Sequence, residues 1–186
     1  DTNNLYKLNA ELSYWFDLHY DTCLFYSLEQ TRLSREVKLR VIEVRGINLV
    51  GMCVEFQGNI DSAIVIYLKA EKLGIKYNTP LVLIDIYNNL GIVYSDKGMY
   101  DFSLEYAFKA LKIAELQKDT NRIAIQNNNI GVRYSDLNNP DLAKEYFFKT
   151  MAIRKAYGNL HTNPKIFFNL GREYAKTNEF DSAEYF

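Results

Sequence analysis

NNLGIVYSDKGMYDFSLEYAFKALKIAE, residues 88–115, carries two helical patterns and the turn between them. It contains the aliphatic–glycine pair Leu90-Gly91, with Tyr94 three residues after the glycine. Seven residues after it stands Gly98, which ends helices readily because a backbone without a Cβ enters the left-handed region at no steric cost. Asp101 follows, suited to the first turn of a new helix, where a carboxylate meets the positive end of the helix dipole. From there Leu104, Ala107, Phe108, Ala110 and Leu111 fall at helical spacing for about four turns. The stretch reads as helix, turn, helix.

The same signals recur at Val50-Gly51, Ile130-Gly131 and Leu170-Gly171, 40 residues apart each time. Val54, Tyr134 and Tyr174 repeat the residue three after the glycine, and Gly58, Asn138 and Asn178 repeat the turn residue. Asp61, Asp141 and Asp181 open the second helices, each followed two residues later by alanine: Ala63, Ala143 and Ala183. Thr79-Pro80 and Asn163-Pro164 supply a capping residue and a proline for the first helical position, and Asp119 and Thr120 serve as caps between them. One period before Gly51 stands Glu11, and Tyr14, Cys23 and Ser27 keep the pattern of a degenerate first repeat. The expected repeats are 1–38, 39–78, 79–118, 119–162 and 163–186 in one domain, the last truncated inside its second helix, so the chain is expected to be a fragment of a longer protein.

A glycine inside a helix costs about 1 kcal/mol relative to alanine, so four in register require a packing reason. The reading here is close approach of the paired helices, with Gly91 facing the small Ser103. Tyr87, Tyr94, Tyr100, Tyr106, Phe147 and Phe180 are expected to fill the space between successive hairpins, which accounts for an aromatic content of 15% without a ligand.

Aliphatic-Gly-x-x-Tyr, then Gly, aromatic-Asp, Ala and a later Ala resembles the tetratricopeptide signature. The usual unit is about 34 residues, and the 40-residue unit resembles a longer variant found in sensory regions of bacterial histidine kinases and helix-turn-helix regulators. The resemblance implies an all-α fold, a right-handed α-α superhelix of antiparallel helix pairs with about four and a half repeats. It also implies a concave groove lined by the first helix of each pair, a protein or peptide partner, and a role in signal transduction. A stand-alone assembly scaffold and the receptor half of a cytoplasmic peptide-responsive transcriptional regulator are the alternatives. The expected setting is an extracytoplasmic, periplasmic sensor region, with a cytoplasmic one as the alternative.

With Tyr87, Leu90, Gly91 and Tyr94 turned into the packing, the neighbouring stripe carries Asn88, Ile92 and Ser95, with Asp96 beside it. The equivalent positions are Asn48, Met52 and Glu55; Asn128, Val132, Ser135 and Asp136; and Phe168 and Arg172. An amide side chain both donates and accepts, so Asn48, Asn88 and Asn128 form a candidate ladder for a peptide main chain. The other reading makes them structural, and recurrence of Asn89, Asn129 and Asn169 one residue on, where a bond between hairpins fits, favours it. Asp96 and Asp136 near Arg172 suggest a groove grading from acidic to basic.

Lys and Arg number 22 against 23 Asp and Glu, and a formal net charge of -1 provides no field to attract nucleic acid, which is not an expected partner. Apolar runs such as 84–94 are broken by Asp85, Asn88 and Asn89, far short of the roughly 20 residues of a membrane span. The interrupted cluster Arg32, Arg35, Lys38, Arg40 and Arg45 reads as a solvated junction between the first two repeats. His19 and His161 have no second ligand at metal spacing, no Gly-rich phosphate loop is present, and no nucleophile stands in a phrase that pairs it with a base. No metal, cofactor or catalytic residue is expected. Cys23 and Cys53 read as small buried residues, and homo-oligomerisation through exposed end-repeat surface is allowed by the pattern.

Overall fold

The computed structural model describes residues 20–157 and 164–185. Glu11, Tyr14, His19, His161 and Asn163 lie outside the described residues. Nine helices are described: α1 (Tyr20–Glu36), α2 (Arg40–Phe56), α3 (Ile60–Lys76), α4 (Pro80–Asp96), α5 (Tyr100–Leu116), α6 (Thr120–Asp136), α7 (Pro140–Ala156), α8 (Pro164–Lys176) and α9 (Phe180–Tyr185). Helices α1 to α7 are 17 residues long and start at intervals of 20, so the 40-residue period is two helices of equal length, each followed by a three-residue turn.

Each turn is built the same way. Gly58 (φ 82°), Gly98 (φ 71°), Asn138 (φ 55°) and Asn178 (φ 61°) occupy the left-handed region, as their residue types led one to expect. Lys38 (φ 58°), Asn78 (φ 51°) and Lys118 (φ 52°) do the same at the turns between repeats. The N–H of each following residue returns to a carbonyl in the last helical turn, as Asn59 does to Val54 (3.1 Å) and Asp119 to Ala114 (3.1 Å). These bonds satisfy carbonyls that would otherwise lack a partner at the helix end. Lysine has no local reason to adopt a positive φ, which costs an L-residue roughly 1–2 kcal/mol, partly returned as lower unfolded-state entropy than glycine. Lys118→Gly is therefore expected to stabilise the chain by about 0.5–1 kcal/mol, and Gly98→Ala to destabilise it by about 1 kcal/mol. A Cβ at Gly98 would meet nothing within 4 Å, so the second change isolates the backbone term. Urea unfolding midpoints of both variants check the pair; shifts of the same sign would refute it.

At the helix starts, Asp119 Oδ1 accepts from the Arg122 N–H (3.0 Å) and caps α6. Thr120 is already the first helical residue, and its hydroxyl donates to the Tyr157 hydroxyl (3.2 Å). The Thr79 hydroxyl, expected to cap α4, donates backwards to the Gly74 carbonyl (3.4 Å), because the tight turn brings that carbonyl within reach. Asn139, which the sequence reading passed over, caps α7 by accepting from the Leu142 N–H (3.2 Å), with Pro140 at the first position.

Backbone contacts divide the chain into two compact units, residues 1–93 and 94–186. In the first, α1 packs on α2 and α2 on α3; in the second, α5 packs on α6, α6 on α7, α7 on α8 and α8 on α9. The second helix of each pair buries one narrow stripe, as in α3 (Ala63, Tyr67, Ala70, Gly74) and α7 (Ala143, Phe147, Thr150, Arg154). Such a stripe, at i, i+4, i+7 and i+11, leaves the rest of the helix to solvent.

Two of the repeat glycines, Gly51 and Gly131, pack against rings. A Cβ on Gly51 would stand 2.5 Å from Cε1 of Tyr67, and one on Gly131 2.6 Å from Cε1 of Phe147. Ser103, expected to face Gly91, is buried, while at Gly51 and Gly131 it is a ring that meets the bare backbone. The small residue, Ala63 or Ala143, is buried one turn earlier, and the ring takes the bare surface. Tyr87, Tyr106 and Phe147 are buried as expected, and Tyr94 stacks on Phe102 (5.3 Å) and Tyr106 (5.6 Å). Phe180, expected in the packing, is 64% exposed.

The arginine-rich junction is only partly solvated. Arg32 is exposed between Glu29 and Glu36, but Arg35 (2.9 Å) and Arg40 (2.8 Å) both bind the Glu43 carboxylate, which is buried. Burial pushes the Glu43 pKa up, yet the two guanidinium hydrogen bonds outweigh it and hold the carboxyl below its usual range. Among the described residues no helix is long and apolar enough to cross a membrane.

Candidate functional site

In the first unit the candidate stripe is largely absorbed by the structure. Asn48 is buried, its Oδ1 accepting from Asn89 Nδ2 (3.0 Å) of the next repeat and its Nδ2 reaching Met52 Sδ (3.9 Å). Glu55 accepts from the hydroxyl of Tyr67, the same ring that covers Gly51; burial and then the nearby Glu55 carboxylate push the Tyr67 phenol well above its ordinary pKa. Met52 and Asn88 are half-buried, and Ile92 is exposed.

In the second unit Asn169 Nδ2 donates to Asn128 Oδ1 (3.3 Å), repeating the step from Asn89 to Asn48. Both bonds join an asparagine to the residue 41 positions earlier, so at Asn48 and Asn128 the amide oxygen ties one repeat to the next. Ser95 Oγ donates to Asp136 Oδ2 (3.0 Å), and Arg133 reaches the same carboxylate at 3.5 Å. Asp96 is exposed, and Val132 packs against the core of Ala143, Phe147, Ile166 and Leu170.

The densest polar arrangement centres on Glu173 of α8, whose side chain is wholly buried. Its Oε1 accepts from Ser135 Oγ (2.6 Å) and from Arg172 Nε (3.1 Å), and its Oε2 from Lys176 Nζ (3.2 Å). Ser135 Oγ in turn accepts from Arg172 Nη2 (3.0 Å) and Lys176 Nζ (2.8 Å), which uses its one proton and both lone pairs. The carboxylate thereby fixes the positions of two cations that stay partly in solvent, their side chains 40% and 34% exposed. One helical turn before Arg172, Phe168 is 68% exposed.

Of the residues the stripe selected, Ser135 and Arg172 meet in this cluster, while Asp136 is held by Ser95 and Arg133. Glu173 and Lys176 were not selected. The positions equivalent to Glu173 hold Cys53, Val93 and Arg133, a different residue in every repeat, so the periodicity carries no signal for it. Among the described residues no three His, Cys, Asp or Glu side chains converge as metal ligands would.

Residues 84–115 match the model of the tetratricopeptide repeat family. No curated protein matches the chain in sequence. Solved structures of similar fold include the STAND (signal transduction ATPase with numerous domains) protein with a tetratricopeptide repeat sensor from Pyrococcus horikoshii, at 15% identity and a TM-score of 0.85, covering 98% of this chain and 28% of that one. A Rap protein complexed with competence and sporulation factor matches at 16% identity and a TM-score of 0.80, over 96% of this chain and 50% of that one. BtubC from P. vanneervenii matches at 17% identity and a TM-score of 0.71, over 98% and 86%. The chain thus spans half the Rap protein and about a quarter of the STAND protein. Residues 84–115 are thus matched as one tetratricopeptide repeat, the same 40-residue unit recurs on either side of it, and the fold is that of solved tetratricopeptide-like repeat proteins.

Proposed function

We propose that this chain is a protein- or peptide-binding module, and that the first-helix face of the second unit holds its partner through Phe168, Arg172 and Lys176. The observation that carries this reading is the pairing of an exposed aromatic with two cations already fixed by a buried carboxylate. Long cationic side chains lose rotamer freedom on binding, and Glu173 and Ser135 have removed part of that freedom beforehand. The complementary segment places an apolar side chain against Phe168 and a carboxylate, either a side chain or a chain terminus, against Arg172. Asp96, Asn128 and Asp136 on the same stripe then meet polar groups of the partner. A regulatory setting is supported by two of the structural neighbours, a Rap protein complexed with competence and sporulation factor and a STAND protein with a repeat sensor, and on that reading occupancy is passed to an attached signalling domain.

Selection of displayed random peptides against the chain tests the proposal. Enriched peptides are expected to carry an acidic residue near an aromatic or aliphatic one. Their affinity for Phe168→Ala and for Arg172→Ala should fall by about tenfold to 100-fold, the equivalent of about 1.5–3 kcal/mol at each position. Peptides that bind both variants as tightly as the parent would place the partner elsewhere.

A further inference from the structure

We propose that Cys23 and Cys53 are a disulfide-forming pair that staples α1 to α2, with a low-molecular-weight disulfide as the oxidant. The sulfurs lie 2.9 Å apart across the two helices, within a short movement of bonding distance, and both residues are fully buried. Leu24, Tyr26 and Leu49 pack around them and hold both side chains in place.

The composition of α1 supplies the reason for a covalent tie. Its buried residues after Cys23 are Ser27, Gln30, Thr31 and Ser34, all polar, where α3 and α5 bury mainly alanine and tyrosine at the corresponding stripe. Burying such a stripe yields little of the apolar transfer energy that holds a helix to its neighbour. The bond to Cys53 would supply what that stripe does not.

The reaction balances as two exchanges. One cysteine thiolate attacks glutathione disulfide, forming a mixed disulfide and expelling one glutathione thiolate. The second cysteine attacks the protein sulfur of that mixed disulfide, closes the Cys23–Cys53 bond and expels the second glutathione. Two electrons pass from the cysteines to the oxidant, and their two protons end on the released thiols. Burial, and the neighbouring Cys23, push the Cys53 thiol up to about 12, so Cys53 is protonated and a poor nucleophile while packed. Exchange then proceeds through opening of α1 from α2, and the bond once formed is shielded by the same packing.

The test equilibrates the full chain in graded mixtures of reduced and oxidised glutathione, with acid quenching, alkylation of the unfolded protein and intact-mass analysis. A monomer that takes up no alkyl group and carries no glutathione is the expected oxidised form. Amide hydrogens of α1 should exchange roughly tenfold to 100-fold more slowly in it than in the reduced form. Cys23→Ala and Cys53→Ala, checked for folding by circular dichroism, should each show the exchange rate of the reduced protein under all mixtures. Two glutathione adducts per chain at the oxidising end, or an intramolecular bond that leaves α1 exchange unchanged or faster, would overturn the proposal.

Discussion

Phe147→Ala is expected to lower the unfolding free energy by about 3–5 kcal/mol, the range for removing a fully buried ring that the surroundings cannot refill. Phe147 is 0% exposed, lies in one core cluster with Ala143, Ile166 and Leu170, and has its ring carbons against the bare backbone of Gly131. That last contact gives the prediction a second arm. Gly131→Ala gains about 1 kcal/mol of helix propensity but drives a methyl to 2.6 Å from the ring, and overpacking of that kind costs about 1–3 kcal/mol, so the change is net destabilising in the parent protein. In the Phe147→Ala background the collision is gone and the methyl partly fills the vacancy. There the same substitution should stabilise by about 1 kcal/mol, a reversal of sign that urea unfolding of the four proteins measures as a coupling energy. Additive effects would mean that ring and glycine do not act on each other.

The same contact shows what the sequence does and does not reveal. Glycines repeating every 40 residues inside helical patterns state that the backbone must be bare there, and the pattern three, seven and ten residues later states where helices end and begin. Which side chain then covers the bare surface is a matter of rotamers and of the angle between helices, and Tyr67 and Phe147, not the small residues, turn out to do so. Turn residues follow the same division. Gly58, Gly98, Asn138 and Asn178 announce a left-handed backbone by their chemistry, whereas Lys38 and Lys118 adopt it because every turn closes with the same hydrogen bonds. In the candidate site, helical spacing grouped Asn48 with Met52 and Asn128 with Ser135. It could not show that Asn89 and Asn169 would occupy the first members of those groups, since the offset between neighbouring repeats is a tertiary property. Glu173, the centre of the densest polar cluster, stands where the other repeats hold Cys53, Val93 and Arg133, a position without a repeating residue type, so periodicity could not single it out.

Glu173→Ala is the second large effect, expected to cost about 2 kcal/mol of stability. Loss of one partner from a fully buried ion pair costs about 3–5 kcal/mol, because the charge left behind is uncompensated. Here the charges left behind belong to Arg172 and Lys176, which are 40% and 34% exposed and can turn into water, so the cost is smaller and consists mainly of lost charge-assisted bonds and an unfilled volume. Glu173→Gln keeps the volume and one acceptor, and about 1 kcal/mol is expected. Binding should separate from stability in these two variants. In both, Arg172 is no longer held at 3.1 Å from a carboxylate, so peptides selected on the parent should bind less tightly even under conditions where each variant is fully folded. Charge on the peptide then becomes diagnostic: without Glu173 the site gains net positive charge, and the association rate for acidic peptides should rise while their dissociation rate rises further. Stopped-flow rates at low and moderate salt resolve the two effects. An unchanged dissociation rate would mean that Glu173 stabilises α8 without positioning the cations for a partner.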